Sequence, residues 1–321
     1  MRVAPWVWAL FGAVVLGTLA LDLVLGAGGR RPGGPGEGQP PALSIRSAAL
    51  WSAIWIGLGL LFGLVVLALY GRGAALTYLT AYLLEKSLSV DNIFVFVVIF
   101  SELGIPAQYQ RGVLYWGVIG ALVMRGLLIA GSIYLLARFY WVIYPFAAVI
   151  ILAAVRLVWG QNRQREIVAK SCNVCSSWVA RFIPITPVVR GSRFLIRQNG
   201  RLVATPLLIA LIVIETSDLV FALDSVPAVL SITREPFLVY TSNVFAMLGL
   251  RSLYLLLAGA LERLKYLHVA LAGILAFVGA KMLLSEIVEI PTWASLAVIA
   301  GTLTVAIVAS LAVTSGSEHF V

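Results

Sequence analysis

Acidic side chains occupy two stretches of the sequence that are otherwise apolar enough to lie in a membrane. The first stretch is EKSLSVDN and the second is ETSDLVFALDS, and their oxygen-bearing residues are Glu85, Asp91, Asn92, Glu215, Asp218 and Asp224. Carboxylate and amide oxygens are hard ligands that suit Mg²⁺, Ca²⁺ or Mn²⁺, whereas zinc and copper sites usually recruit His or Cys. The two stretches therefore predict a site for a hard divalent cation, with these six residues as candidate ligands.

Charged side chains inside a membrane span need a partner of opposite charge. An ionisable side chain at the centre of a membrane span costs roughly 2.5–3.5 kcal/mol, so five unpaired carboxylates would cost roughly 12–17 kcal/mol. This cost exceeds a typical free energy of unfolding, which means that the acids must be paired with bases or with a cation. The candidate charge partners within the apolar stretches are Arg125, Arg156, Arg251 and Lys281. A purely structural role, in which the acids neutralise these bases, stays open.

The two acidic stretches also correspond to each other. Each has an acid followed six residues later by an aspartate, then an arginine one span later, then a second base. The corresponding pairs are Glu85 with Asp218, Asp91 with Asp224, Arg125 with Arg251, and Arg156 with Lys281. The hydrophobic pattern sends the two units through the membrane in opposite directions. This predicts an inverted repeat of two three-helix units, with the site at their interface near the midplane.

The spacing of six has a geometric consequence. Residues six apart lie about 240° apart around an ideal helix, so Glu85 and Asp91 would need an unwound turn to share a site. Pro227 lacks an N–H and leaves the carbonyl of Leu223 without its helical donor. We therefore expect broken helices in both acidic stretches.

The composition sets the class of the elements that carry these residues. Hydrophobic residues make up 61% of the 321 residues and charged residues only 12%, and the mean hydropathy is +1.00. A chain this apolar cannot cover a water-soluble body. The fold class expected is an all-α polytopic membrane protein with about nine transmembrane helices. The apolar runs that predict them cover residues 3–25, 48–70, 75–100, 112–137, 140–160, 204–232, 237–260, 266–285 and 291–314.

Basic residues predict the orientation. Cytoplasmic loops carry an excess of Lys and Arg, and the longest hydrophilic segment, 161–203, holds eight bases against one acid. With this segment inside, the inner loops hold 14 Lys and Arg and the outer loops 4. We therefore expect an inner-membrane, multi-pass protein with its N-terminus outside and its C-terminus in the cytoplasm. Within the segment, Asn199-Gly200 between short apolar runs predicts a small β-hairpin.

The resulting organisation has five parts. An extra, uncleaved N-terminal transmembrane helix is expected at 1–25 and a Gly/Pro linker at 26–46. Helices two to five, with the first repeat, follow at 47–160, and the basic cytoplasmic loop covers 161–203. Helices six to nine, with the second repeat, complete the chain at 204–321.

Long stretches of the chain resemble the TerC family of integral membrane proteins. These are EKSLSVDNIFVF, GALVMRG, the segment from ATPLLIALIVIETSDLVFALDSVPAVL to TREPFLVYTSN, and FAMLGLRSLYLLLAG, and the similarity runs from about residue 48 to the C-terminus. The resemblance implies a helical fold of the lysine-exporter superfamily, a link to tellurite resistance, and manganese export. The added N-terminal helix and the pair Cys172 and Cys175 depart from the family pattern.

Three functions are weighed on these grounds. The leading one is a secondary transporter that exports a divalent cation, with Mn²⁺ as substrate and no permanently bound cofactor. A transporter of an organic or oxyanion substrate, clamped by Arg125 and Arg251, is the second. A membrane scaffold that acts through the basic loop is the third. We expect no enzymatic activity and no nucleic-acid partner. The partners expected are the lipid bilayer, the cation, and anionic lipid at the basic loop, and the two cysteines are expected to be free thiols.

Overall fold

The computed structural model describes residues 3–27, 45–158, 161–186, 189, 191–198, 200–257, 266–284, 287 and 290–317. Ten α-helices and one hairpin make up this part of the chain: α1 (Pro5–Ala27), α2 (Ile45–Glu102), α3 (Ala107–Arg138), α4 (Ile143–Val158), α5 (Gln161–Ala180), β1 (Leu195–Gln198), β2 (Arg201–Ala204), α6 (Pro206–Leu230), α7 (Pro236–Met247), α8 (Leu250–Leu257), α9 (Leu267–Leu283) and α10 (Thr292–Ser317). Most of the predicted Gly/Pro linker lies outside the described residues.

The chain is an all-α polytopic membrane protein, as the composition predicts. Four of the described helical segments are long and apolar enough to cross a bilayer: Ser47–Glu102, Ala107–Arg138, Pro206–Leu230 and Thr292–Ser310. Their surfaces expose large apolar side chains such as Leu61, Leu64 and Leu127, which a water-soluble protein would bury and a lipid-facing helix presents. The number of spans, nine, stays a prediction.

Helix α2 is a helical hairpin made of two predicted spans. Its backbone leaves helical geometry at Gly71, where φ is 83°, a conformation that favours glycine. The two halves, 45–70 and 72–102, then lie antiparallel against each other. Tyr78 Oη donates a hydrogen bond to the carbonyl oxygen of Gly59 at 3.0 Å, and the Tyr82 ring leaves no room for a side chain at Gly59. The second half of α2 carries the first acidic stretch.

The helices that carry the charged residues pack in a reciprocal pattern. Helix α2 packs against α7, α3 against α6, and α4 against α9, and α2 also contacts α6. We take the second half of α2 with α3 and α4 as one unit, and α6 with α7–α8 and α9 as the other. The first helix of each unit then packs against the second helix of the other unit. Third helices meet each other. A two-fold exchange of two units would give this arrangement, and the repeat itself stays a prediction.

The breaks in the helices do not lie where the sequence suggested. Helix α2 is continuous through Glu85 and Asp91, and α6 is continuous through Pro227, so the expected unwound turns in the acidic stretches are wrong. The break lies instead in the predicted span 237–260, between α7 and α8. There Gly249 has a φ of 78°, and a side chain at this position would collide with Trp55. Packing of α2 against this point therefore fixes the break.

The basic segment 161–203 is more ordered than a loop. Helix α5 fills its first half and buries Val168, Cys172 and Val179 against the core, three positions that share one helical face. A two-stranded antiparallel hairpin follows, with Leu195 opposite Ala204 and Gln198 opposite Arg201. Gly200 has the positive φ, 79°, that the predicted turn requires. The turn residue Asn199 lies outside the described residues.

Candidate functional site

Arg125 lies at the centre of a buried network of polar side chains from three helices. Its Nη1 donates to Glu85 Oε2 on α2 at 2.7 Å. On α6, Nε and Nη2 donate to the two carboxylate oxygens of Asp218 at 3.2 and 3.1 Å. Only 2% of Arg125, 1% of Glu85 and 2% of Asp218 is exposed. The guanidinium therefore forms one single and one bidentate ion pair away from solvent, which is the geometry that makes Arg–carboxylate pairs strong.

Two neutral side chains complete the network. Asn92 Nδ2 donates to Asp218 Oδ1 at 3.1 Å, and Arg125 Nη1 also donates to Ser225 Oγ at 3.3 Å. Asn92 follows Glu85 by seven residues, and Ser225 follows Asp218 by seven residues. Seven residues complete almost two helical turns, so each acid and its polar neighbour share one helix face. We call Arg125, Glu85, Asp218, Asn92 and Ser225 the Arg125 cluster.

Helix α3 carries Arg125 into the core on its one buried face. From Leu114 onward the buried residues of α3 recur at intervals of three, four or seven. The buried residues are Val113, Leu114, Gly117, Ala121, Arg125, Ile129 and Leu136. The small residues Gly117 and Ala121 allow α6 to approach, and the added Cβ of a residue at 117 would lie 3.2 Å from Ile214. This close approach of α3 and α6 brings the guanidinium within reach of Asp218.

Glu215 lies one helical turn before Asp218 and contacts the same helix, α3. Its carboxylate rests directly on Gly120, so that any side chain at Gly120 would collide with it. Oε2 of Glu215 is buried and has no hydrogen-bond partner in the described part of the chain. No basic side chain among the described contacts of Glu215 offsets its burial, which is costly for the charged form. The acid is thus suited to hold a proton or a cation.

A second pair of buried polar atoms lies on the α7 side of Glu85. The Asn243 amide is close enough to Glu85 to stabilise its charge. Neither Glu85 Oε1 nor Asn243 Nδ2, however, has a hydrogen bond of good geometry among the described residues. Among the described hydrogen bonds, Glu85 is therefore bound through Oε2 alone.

The remaining candidate ligands are less fully described. The Asp91 side chain lies outside the described residues. Asp224 is half-buried on α6. The spacing of six places each of these two positions about 120° around its helix from the acid in the Arg125 cluster. Among the side chains that the structure describes, no three of the types His, Cys, Asp and Glu come together to hold a metal ion.

Of the four candidate charge partners, Arg125 binds two of the acids directly. Arg156 is exposed on α4, and Lys281 donates to Ser295 Oγ on α10 at 2.8 Å. Arg251 follows the α7–α8 break and lies near the like charge of Arg111. It also lines a cavity of about 20 Å³ next to the break, room for about one water molecule. The repeat-related arginines thus occupy different surroundings.

Three residues of the site had no assigned role at the level of sequence. These are Ser225, Gly120 and Lys86, whose ammonium donates to the carbonyl oxygens of Ala246 and Leu248. The spacing of seven between Asp218 and Ser225 was a usable signal, since it places both residues on one face. The sequence holds no such signal for Gly120 and Lys86, because their partners depend on how α3 and α7 pack.

The two cysteines lie on α5, away from the Arg125 cluster. Both are free thiols, with Cys172 buried and Cys175 half-buried. Burial, together with the nearby charge of Glu102, raises the pKa of Cys172 to about 11. Burial also raises the pKa of Cys175 above its ordinary value. Thiols with raised pKa values are protonated at neutral pH and react slowly.

Comparison with known proteins places these features in a family. A family model described as "Integral membrane protein TerC family" matches residues 70–318. The chain is 46% identical over 308 residues to "Uncharacterized membrane protein STKORF319" of Myxococcus xanthus, a match covering 96% of this chain and 92% of the relative. It is 39% identical over 307 residues to "Putative membrane-bound redox modulator Alx" of Escherichia coli strain K12, covering 93% and 92% of the two chains. An "Uncharacterized membrane protein" of Rickettsia bellii is 35% identical over 304 residues, covering 95% and 96%. No solved structure matches the chain.

Proposed function

Because the chain belongs to the TerC family of integral membrane proteins, we propose that it is a secondary transporter that exports a divalent cation, with Mn²⁺ as the substrate. The observation that carries this proposal is the balance of charge around Arg125. In the part of the chain that is described, two buried carboxylates, those of Glu85 and Asp218, share the guanidinium of Arg125. A third, that of the half-buried Glu215, lies one helical turn before Asp218 and rests on Gly120 of α3. An excess of negative charge in a low-dielectric core favours a cation.

In this proposal some charged residues stabilise the helix packing and others bind the cation. Arg125 neutralises Glu85 and Asp218 and holds α2 and α6 together through α3. Asp91 and Asp224, on the neighbouring face of each acidic helix, bind the cation between the two units, and Glu215 adds an oxygen or carries a proton. All of these donors are hard oxygens, which suit Mn²⁺, Mg²⁺ or Ca²⁺. The choice of Mn²⁺ among them rests on the family resemblance.

The arrangement of Arg125 argues against an anionic substrate. Its Nε, Nη1 and Nη2 atoms already donate to Asp218, Glu85 and Ser225. An oxyanion would have to displace two carboxylates from these donors. A clamp for an anion would instead present unoccupied donors. Arg125 is therefore better suited to organise a cation site than to bind an oxyanion.

The name of the Escherichia coli relative suggests a redox role as the alternative. In this chain such a role would fall to Cys172 and Cys175, the cysteine pair on α5. Their raised pKa values keep the thiols protonated, whereas redox-active cysteines depend on a lowered pKa. A redox role therefore has weaker support from the chemistry of the described residues than cation transport has.

The setting of the transporter follows from the basic residues. We propose that it lies in the inner membrane with α5 and the hairpin in the cytoplasm and the N-terminus outside. Lys170 and Trp178 are exposed on α5, and the exposed Arg181 follows directly after its end. These side chains suit contact with anionic lipid or with a partner protein. A scaffold function through this segment alone would not require carboxylates in the membrane core.

Uptake of Mn²⁺ by inverted membrane vesicles tests the proposal. Vesicles with the wild-type protein should accumulate Mn²⁺, and Asp91→Asn and Asp224→Asn should each abolish uptake without lowering the amount of protein in the membrane. Asn keeps the size and one oxygen of Asp but removes the charge that offsets dehydration of the cation. Glu102→Gln removes an exposed carboxylate at the end of α2 and is the matched control. Uptake by both Asp variants at the rate of the Glu102→Gln control would exclude the proposed site.

A further inference from the structure

The ammonium group of Lys86 is bound by the end of a helix. Its Nζ donates to the carbonyl oxygen of Ala246 at 3.0 Å and to that of Leu248 at 3.4 Å. Both carbonyls belong to the C-terminal end of α7, where the last carbonyls of a helix lack helical donors and carry partial negative charge. The described hydrogen bonds of this cation therefore end on backbone oxygens, although Glu85 is its neighbour in sequence.

The chain maintains this helix end inside the core. Helix α7 stops at Met247, and α8 starts again at Leu250. The positive φ of Gly249 and the Trp55 side chain packed on it prevent the two helices from joining. Both halves of the α2 hairpin thus meet the break, with Trp55 from the first half on Gly249 and Lys86 from the second half on the carbonyls. A helix end held open at this depth is tolerated where something satisfies its carbonyls.

The positions of Glu85 and Lys86 explain why the ammonium binds carbonyls. Consecutive residues lie about 100° apart around a helix, so the two side chains leave α2 in different directions. Glu85 is directed to Arg125 and is bound there at 2.7 Å. Lys86 is directed to α7. Adjacent positions on a helix do not face each other, so each of the two charged groups binds a different partner.

We propose that the C-terminal end of α7 is a binding position for a small monovalent cation and that the Lys86 ammonium fills it from within the chain. Carbonyls at the ends of interrupted helices are the groups with which transporters coordinate monovalent ions. The contact of the ammonium with the Ala246 oxygen has an ordinary hydrogen-bond length, 3.0 Å, and the contact with the Leu248 oxygen is longer, 3.4 Å. The ligand class that could replace the side chain is therefore a free ammonium ion or a similarly sized alkali cation such as K⁺. Lys86 is a positioning residue, because it holds α2 against the α7–α8 break.

One consequence for transport rests on the proposed function. A helix end occupied by a tethered cation does not need to take up a monovalent ion with each cycle, so Mn²⁺ export by the wild-type protein should be independent of Na⁺ and K⁺. The binding position itself does not depend on what the protein transports. Its test in detergent therefore stands even if the substrate is another cation.

The test compares thermal unfolding of purified Lys86→Ala and Lys281→Ala in detergent, in choline chloride and in ammonium or potassium chloride at equal ionic strength. Lys281 is the matched control, because it is a half-buried lysine whose ammonium donates to a serine hydroxyl instead of a helix end. Free ammonium or K⁺ should raise the melting temperature of Lys86→Ala by roughly 2–4 °C, since a ligand that binds only the folded state stabilises it. The same exchange should leave the wild-type protein and Lys281→Ala unchanged.

The opposite results would overturn the proposal. One is that Lys86→Ala has the same melting temperature in choline, ammonium and potassium chloride. The other is that ammonium or K⁺ raises the melting temperature of Lys281→Ala by as much as that of Lys86→Ala. If Lys86→Ala does not accumulate in the membrane, Lys86→Arg and Lys86→Met decide instead. Arg keeps the charge and Met keeps only the apolar stem, so Lys86→Arg should accumulate and Lys86→Met should not. Equal accumulation or equal loss of these two variants would show that the charge at the helix end is not what matters.

Discussion

Replacing Arg125 by alanine tests whether the buried network holds the helices together. The change would leave the carboxylates of Glu85 and Asp218 in the core without the guanidinium that binds both. It would also leave Ser225 without a donor. Breaking a buried pair by removing one partner costs about 3–5 kcal/mol. A chain of 321 residues loses about 1.5 °C of melting temperature for each kcal/mol, so we expect a fall of about 4–7 °C.

The measurement is thermal unfolding in detergent, with two variants to separate charge from geometry. Arg125→Lys keeps the charge but cannot make the bidentate bond to Asp218, and it should melt between the wild type and Arg125→Ala. Arg125→Ala combined with Asp218→Asn removes one of the two uncompensated carboxylates and should recover part of the loss. Added Mn²⁺ should also stabilise Arg125→Ala in part, because a divalent cation can replace the missing positive charge.

Arg156→Ala is the control for this series. Arg156 is exposed on α4, and exposed substitutions usually change stability by no more than about 0.5 kcal/mol. The reasoning would be refuted if Arg125→Ala melted within a degree or so of Arg156→Ala. A loss that was unchanged by Asp218→Asn would show that lost packing, and not the unpaired charge, causes the effect.

Three further predictions follow from the structure. Gly120→Ala should displace the Glu215 carboxylate and lower the melting temperature, and Glu215→Ala should suppress most of this loss in the double variant; full additivity of the two changes would exclude their contact. At pH 7 Cys172 should react with iodoacetamide roughly 100-fold more slowly than an ordinary thiol, and its reaction should become faster as the pH rises toward its pKa of about 11. Protein unfolded in SDS is the control. Rapid modification of the folded protein at pH 7 would contradict the raised pKa. Single cysteines introduced into 191–198 should react with an impermeant reagent from the cytoplasmic side and a cysteine at Arg234 from the outer side; labelling of both from one side would contradict the inverted repeat.

The sequence was most informative where a physical constraint acts on single residues. The cost of burying charge in a membrane indicated that the acids must have partners, and it identified Arg125 as a candidate. The correspondence of Glu85 with Asp218 was the useful part of the repeat, because these two acids meet at the same guanidinium. The β-hairpin was also predictable, since Gly200 supplies the positive φ that its turn requires.

The interval of six misled only about the course of the backbone. It predicted unwound turns near Asp91 and Asp224, whereas α2 and α6 are continuous there. The interval of seven, which keeps residues on one helix face, leads to Asn92 and Ser225, the two side chains that complete the Arg125 cluster. No unwinding is needed for this arrangement, and α2 and α6 stay helical through it.

Other features depend on packing that no local pattern contains. The break between α7 and α8 follows from Trp55, which is almost 200 residues away in sequence, and Lys86 caps the end that this break creates. The break also explains why Arg125 and Arg251 differ. Arg125 lies in the unbroken α3, whereas Arg251 follows Gly249 and belongs to the separate axis of α8. Helix α5 was missed because its charge suggested a loop, while its buried face becomes visible only against α2 and α6.

Direct binding of Mn²⁺ is the measurement that tests the central claim most closely. Calorimetric titration of the purified protein in detergent should give a single Mn²⁺ site in the wild type and in the exposed control Glu102→Gln. The double variant Asp91→Asn and Asp224→Asn should lose this binding while its melting temperature without metal stays the same or rises, because neutralising acids in the membrane core lowers their cost. Binding of Mn²⁺ by the double variant with the affinity of the wild type would contradict a carboxylate site between the two units.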